Sequence, residues 1–547
     1  TIMKKIKFLT MLAAMMLMAP LFVNAQDADE DGESQPSIVN EFFKTDPEQQ
    51  TDEIKKRLVG QGNAVNLILS ERLMSANKFE KRRAEEMLVR MAQYVGQRGY
   101  NTYHNILSNG VFDCINIQKD VETNVFLISL FEYFGDKRDL EKLWRFVENG
   151  NYADAAIRAM SHIPESVDNI RRFCTKQGEV SYKGALAYAV GKLQMKDVEP
   201  TIISWLKGAD AKTQVDIYNA IYELGNPESA ALVQKGAKKL YKNKNVEAKI
   251  GGMKLLVELQ KEEALPYLYK ALKNKNREVR RAALDLMVPY ANSEMCENVV
   301  KKYAKKDAVA DVARWLGDVK DKNYVKYLVG LLASEDELTV EEAVLALGKI
   351  GDPDGLMALA PMVGGKYKDA VEEALVESPG EIVPVLKQAI SGSDEQVIGV
   401  MRILVKRQCY ALNIQLRQFL MYQKNLEIMQ IAYQTLKYVV LPGHVSFLKE
   451  QLENCPEEYV KDVQNAFIVA MSMAQPQQRD DFVNNMKYVP VEVLPRYYRV
   501  LGSFDTEISV KKLVDCYNSG IDKDEAYMAI KMVDADKYQE VLRDIKK

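Results

Sequence analysis

The chain has 547 residues, 47% hydrophobic and 28% charged, with 29 Gly and 17 Pro, a composition that excludes a disordered, collagen-like or membrane-embedded polymer. Lys and Arg number 74 against 77 Asp and Glu, a formal net charge of -3, which excludes the strong basicity of a dedicated nucleic-acid binder. Three histidines, scattered at His104, His162 and His444, and six cysteines without a Cys-x-x-Cys pair signal neither a zinc site nor a disulfide framework.

At the N-terminus, the basic run Met3-Lys4-Lys5-Ile6-Lys7, the apolar stretch Phe8 to Val23 and the small-residue site Val23-Asn24-Ala25 predict a secretory signal peptide over 1–25, and so export to the periplasm or cell exterior. Next, Asp27-Ala28-Asp29-Glu30-Asp31-Gly32 resembles half a calcium loop, but Ile38 stands where a bidentate Glu is needed and Pro36 intrudes. Residues 26–37 therefore read as a solvated acidic linker, and 38–124 as an N-terminal helical cap. No later stretch reaches the roughly 18 uncharged apolar residues of a membrane span.

From residue 125 to 547 the chain repeats itself. Turn signals at Leu224-Gly225-Asn226-Pro227, Leu259-Gln260-Lys261, Tyr290-Ala291-Asn292 and Ile350-Gly351-Asp352-Pro353 fall at a period of about thirty residues, the signature of a solenoid. Within one unit Leu265, Leu268 and Leu272 share a helix face, and after the polar turn Lys273 to Asn276 so do Val279, Ala282, Ala283 and Leu286. Each unit is thus an antiparallel pair of amphipathic helices, too short to be stable without stacking on its neighbours. The expected fold is all-α, an α-solenoid of roughly thirteen stacked helix pairs, with helix above about two thirds and almost no strand.

The stretches Asn276-Arg277-Glu278-Val279-Arg280-Arg281-Ala282-Ala283-Leu284 and Val340 to Pro353 resemble HEAT repeats, and are most similar to the bilin-lyase-like variety. Beyond about Gln408 the likeness rests on period and apolar spacing alone. The resemblance implies a superhelix whose second helices line a concave surface that scaffolds protein binding. Together with the signal peptide it resembles exported HEAT-repeat proteins of Bacteroidota. The resemblance implies that some of those carry a sugar-active domain of the 3-keto-disaccharide hydrolase kind, which does not appear in these residues.

Catalytic signatures are missing from the sequence. No phosphate loop, no Gly-x-Ser-x-Gly elbow and no His-Glu ligand pair occurs. The pairs Glu341-Glu342, Glu372-Glu373 and Glu457-Glu458 sit next to each other on helices, where neighbours do not face one another. The 28 tyrosines, Tyr267, Tyr269, Tyr324, Tyr327, Tyr497 and Tyr498 among them, read as core and rim packing, with an aromatic platform as the alternative. No cofactor and no metal ligand set is indicated.

One charge pattern follows the repeat. Lys242-Asn243-Lys244-Asn245 recurs as Lys273-Asn274-Lys275-Asn276 with Arg277 following, and Lys305-Lys306 sits one period later. Stacking predicts a basic ridge of Lys242, Lys244, Lys273, Lys275, Arg277, Lys305 and Lys306 along one edge. Later turns reverse the sign at Glu335-Asp336-Glu337, Asp394-Glu395 and Glu457-Glu458. The expected function is a non-enzymatic exported scaffold binding a protein or peptide, anionic where it meets the ridge. The alternative is a glycan-associated array serving a sugar-active domain, and a tetrapyrrole lyase or carrier is a third class. Arg280 reads as a contact between neighbouring units.

Overall fold

The computed structural model describes residues 73, 78–97, 101–117, 120–148, 150–175, 180–407, 416, 419–420 and 425–545. The expected signal peptide and linker, the first part of the N-terminal cap and Cys409 lie outside the described residues. Among the described residues, 76% are helical and no strand occurs, as the sequence requires.

Two helices, α1 (Lys78–Val95) and α2 (Asn101–Ile117), and a bent helical segment over 121–134 lead into the array. Among the described residues thirteen second helices follow: α3 (Ala153–Met160), α4 (Lys183–Lys192), α5 (Ala211–Leu224), α6 (Val246–Gln260), α7 (Arg277–Met287), α8 (Ala308–Val319), α9 (Glu337–Ile350), α10 (Lys368–Glu377), α11 (Asp394–Arg407), α12 (Leu426–Leu436), α13 (Val460–Ser472), α14 (Tyr498–Gly502) and α15 (Lys523–Ile530). Each second helix packs on the next, from α3 through α15, and this makes one continuous inner layer. First helices, such as Leu265–Ala271 and Val325–Leu331, form an outer layer. One uninterrupted apolar core runs between the layers from Leu73 to Ile530, the one-dimensional arrangement of a solenoid.

Local chemistry sets the ends of these helices. Asp210, Asn245, Asn276 and Asp336 each cap a second helix by accepting the backbone N–H three residues on. Gly225 and Gly351 end α5 and α9 in the left-handed conformation, at φ of 63° and 68°. Pro227 and Pro353 open the helical segments that follow, where a missing N–H costs nothing.

Small residues bring some inner helices unusually close. A Cβ added to Gly317 on α8 would lie 2.6 Å from Ala346 Cα on α9, and one added to Gly348 would lie 2.7 Å from Ala374 Cα on α10. Gly191 on α4 meets Ala220 of α5 in the same way, at 2.9 Å. These pairs of small residues repeat along the layer and fix its spacing.

The layer is strongly curled. Going from α3 to α10 takes seven helix-to-helix steps, a contour of about 55 to 70 Å at 8–10 Å per step. Yet α1, whose 18 residues span only about 27 Å, touches both ends of that path. Its C-terminal end abuts the 131–134 turn, where a Cβ on Gly96 would lie 1.9 Å from the Tyr133 carbonyl oxygen. Near its N-terminal end, Arg82 reaches Glu373 and Glu377 of α10.

Candidate interaction surfaces

The turns joining first to second helices carry the predicted ridge. In the first two, the repeated asparagines do the structural work. Asn243 accepts the N–H of Asn245 and Asn274 that of Asn276, each at 2.9 Å, and the second asparagine of each pair then caps the helix that follows. This Asx turn plus cap explains why Lys-Asn-Lys-Asn recurs. The lysines between the caps point outward: Lys242, Lys244, Lys273, Lys275, Lys305 and Lys306 are all exposed or half-exposed. None of the six has an ion pair among the described residues. Arg280 links two of these turns, donating to the carbonyls of Asn274 (3.1 Å) and Lys275 (3.0 Å) and to the Asp307 carboxylate (2.8 Å). They therefore share an edge.

Arg277 departs from the expectation. It is half-buried and donates from Nε to Asp311 at 2.7 Å, so its charge is neutralised within the inner layer and does not extend the ridge. Its short distance along α7 from the cap turns it inward.

Asp311, fully buried on α8, accepts from Arg277 Nε, Arg280 Nε (2.9 Å) and Arg281 Nε (2.8 Å) of α7. Arg281 also donates to Glu342 on α9. Three guanidiniums and two carboxylates thus tie three consecutive units together, and the contact expected of Arg280 is present. The acidic edge is partly engaged as well: Asp336 caps α9, Glu337 pairs with Lys366 and Glu457 with Arg496.

A second polar cluster lies near the start of the inner layer. The Tyr188 hydroxyl of α4 donates to Glu132 at 3.4 Å and stands 3.2 Å from His162 Nε2. The Arg158 guanidinium lies 4.7 Å above the Tyr188 ring while bonding Asp216 at 2.6 Å and Asp154 at 2.8 Å. Burial pushes the Glu132 carboxyl up despite Arg158 nearby, and it raises Tyr188 as well. Burial, helped by Lys192, pushes His162 down. The arrangement holds no activated nucleophile and no carboxylate pair facing across a gap. The contacts that join its units span 26 to 58 residues, so local sequence does not single the cluster out.

The remaining candidates resolve into structure. His104, buried, stands between Asp139 (2.9 Å) and Asp136 (3.6 Å), the one group among the described residues close enough to hold a metal ion. Both ring nitrogens face carboxylates, Ser108 donates to Asp139 at 2.6 Å and Arg138 clamps Asp136. The two carboxylates thus brace the turn before the Leu140–Val147 helix, while the buried His104 Nε2 makes no hydrogen bond. His444 Nδ1 accepts the Leu441 N–H at 2.9 Å. Tyr497 and Tyr498 are wholly buried, Tyr269 stacks on Tyr303, and Tyr241 packs edge-on to Tyr267, which is packing and not a platform. Cys114, Cys174, Cys296, Cys455 and Cys516 are buried and form no disulfide. Among the described residues no helix is long and apolar enough to cross a membrane.

These layers define an α-solenoid of helix pairs. Residues 298–378 match the family described as HEAT repeats, which covers the pairs built on α8 and α9 and the α10 helix; the same two layers continue on both sides. No curated protein matches the chain. Among solved structures, the chain is similar to Kap95p, whose binding induces the switch loops of RanGDP to adopt the GTP-bound conformation. Identity is 12% and the TM-score 0.36, over 93% of this chain and 79% of that one. It is also similar to Kap121p bound to Ste12p, at 11% identity and a TM-score of 0.30, over 95% of this chain and 58% of that one. The chain thus spans little more than half of Kap121p.

Proposed function

We propose that this chain is a non-enzymatic scaffold that holds a protein or peptide partner on its charged edge and curled inner layer. The observation that carries the reading is the ridge: six outward-pointing lysines on three successive turns, without ion pairs among the described residues, in a chain where most inner-layer charges are paired. Clustered charge of one sign without counter-charges focuses field and speeds the capture of an oppositely charged segment. The partner is accordingly anionic where it meets the ridge.

We also propose that the chain is exported through residues 1–25. N-terminal sequencing of the protein secreted by its source cell should then begin at Gln26.

The test is a pull-down from the envelope fraction with the wild-type chain and with Lys242, Lys244, Lys273 and Lys275 all replaced by Glu, at low and high salt. A protein captured by the wild type at low salt, and lost with the variant and at high salt, supports the reading. Capture that neither change weakens would sink the ridge as the binding surface. Recovery of glycan or of a sugar-active enzyme would move the reading to an accessory array.

A further inference from the structure

Asp139, at the turn that opens the Leu140–Val147 helix, is only 1% exposed. A carboxylate taken out of water needs a cation beside it. Yet both of its hydrogen-bond donors are neutral, the Ser108 hydroxyl at 2.6 Å and the Asp136 N–H at 3.0 Å. Arg138 directs its guanidinium at Asp136 instead.

Beside Asp139 stands the ring of His104, itself 3% exposed, with Nε2 2.9 Å from the Asp139 Oδ2. At that distance the two atoms still make no hydrogen bond, and Nε2 makes none elsewhere. Two such atoms fail to bond only when the oxygen lies well off the axis along which a ring N–H points. An N–H on this nitrogen would miss the oxygen. The buried Phe134 ring packs against the imidazole at 5.5 Å and 63°, which holds it in this orientation.

Two ligands of one metal ion stand in the same relation. The ion occupies the nitrogen axis at about 2.1 Å, and a carboxylate oxygen bound beside it then lies about 3.0 to 3.4 Å from the nitrogen, at right-angled to tetrahedral geometry. The off-axis Oδ2 at 2.9 Å falls at the close end of that range. One donor atom from each of His104, Asp136 and Asp139 lies within 4.8 Å of the other two. A small shift of Asp136, whose side chain is 35% exposed, brings all three onto one ion and gives that ion a way in from solvent. Imidazole together with carboxylates suits a divalent first-row transition ion, whereas calcium and magnesium take oxygen ligands.

We infer that His104, Asp136 and Asp139 form a structural site for a divalent transition ion, which supplies the buried Asp139 with a cation and pins the turn near the start of the array. Arg138 competes with the ion for Asp136. The site stands independently of the scaffold function proposed above.

The test uses the full, untagged chain, stripped with a chelator and titrated with Zn2+ by calorimetry. One equivalent should bind and raise the melting temperature. X-ray absorption at the zinc edge should show N and O ligands only, at about 2.0–2.2 Å, with one imidazole. His104→Gln should abolish binding with helix content unchanged by circular dichroism, and His162→Gln should leave binding intact. Asp136→Asn, at a half-exposed position, should weaken binding about tenfold or more. Arg138→Gln, which frees Asp136, should tighten it. A wild-type chain that binds no equivalent, sulfur or a second imidazole among the ligands, or an equivalent that survives His104→Gln overturns the site. Affinity unchanged in both Asp136→Asn and Arg138→Gln overturns the three-ligand arrangement.

Discussion

Arg280 on α7 and Asp311 on α8 are both buried, and they meet one repeat apart with Nε 2.9 Å from Oδ2. The carboxylate also serves Arg277 and Arg281, so three cations share one buried anion. Asp311→Asn would keep at most the two bonds that share Oδ1 and lose the one on Oδ2, because an amide offers one acceptor oxygen and no charge. Removing one partner of a buried pair costs about 3–5 kcal/mol, since it strands the other charge. Asp311→Asn should therefore lower the urea midpoint sharply. Replacing the exposed Lys273 with Gln should leave it unchanged within about 0.5 kcal/mol. A midpoint that Asp311→Asn does not move would show that the arginines find water instead.

The spacing of the inner layer gives a paired prediction. In Gly317→Ala the new methyl would fall 2.6 Å from the Cα of Ala346, and backbone cannot step aside as a side-chain tip can. Overpacking of this kind costs about 1–3 kcal/mol and exceeds the roughly 1 kcal/mol that Ala gains over Gly inside a helix. Gly330, exposed in the outer Val325–Leu331 helix, has room for a methyl, with nothing within 4 Å of an added Cβ. Gly330→Ala should thus stabilise where Gly317→Ala destabilises. Thermal denaturation of the two variants checks the sign, and two shifts in the same direction would refute the account.

Much of this fold is legible in the sequence, because its cause is local. Leu265, Leu268 and Leu272 mark a face by spacing alone, and Gly351 followed by Pro353 marks the end of one helix and the start of another. The ridge lysines are equally legible, although the structure gives the repeat itself to Asn243, Asn245, Asn274 and Asn276, whose turn and cap bonds demand those residue types. What stays hidden is long-range. Nothing near Arg82 announces Glu373, because their meeting depends on small rotations added over seven helix steps. Past Gln408 the Gly and Pro signals thin, and arginines take over the helix ends. Arg479 donates to the carbonyls of Met471 (2.9 Å), Ala474 (3.1 Å) and Phe504 (2.8 Å), and Arg496 to those of Leu452 (3.0 Å) and Cys455 (2.9 Å). A lone arginine in sequence looks like surface charge, so these units read as weaker repeats than they are.

The last turn of the array should respond to acid. The Lys537 ammonium, at 2.7 Å, holds the Asp505 carboxyl below the usual carboxylate range, and the Tyr538 hydroxyl at 3.0 Å adds to this. A carboxylate whose folded pKa is depressed contributes stability above its unfolded pKa, and that stability is lost as pH falls through the folded value. With an ordinary Asp near 3.9, residues 534–545 should keep full protection at pH 6 and lose it below about pH 4. Hydrogen exchange corrected for intrinsic rates measures this. Asp505→Asn should exchange faster already at pH 6 and lose the pH dependence, whereas an unaltered profile in that variant would place the acid response elsewhere.

The buried thiols give a probe of whether each unit is closed. Burial pushes Cys174 up to about 12 and Cys296 up to about 11. Cys455 is likewise raised by burial to about 11, against the pull of Arg496. Only the thiolate reacts with alkylating reagents, and at pH 8 these three thiols are overwhelmingly protonated as well as shielded. Iodoacetamide should leave Cys174, Cys296 and Cys455 unmodified in the folded chain and modify them in urea, as read by peptide mass spectrometry. Because neighbouring units share one core, destabilising the α7–α8 junction with Asp311→Asn should expose Cys296, on the first helix paired with α8, before Cys455, several units further on. Simultaneous labelling of both would mean that the array opens as a single cooperative body and not unit by unit.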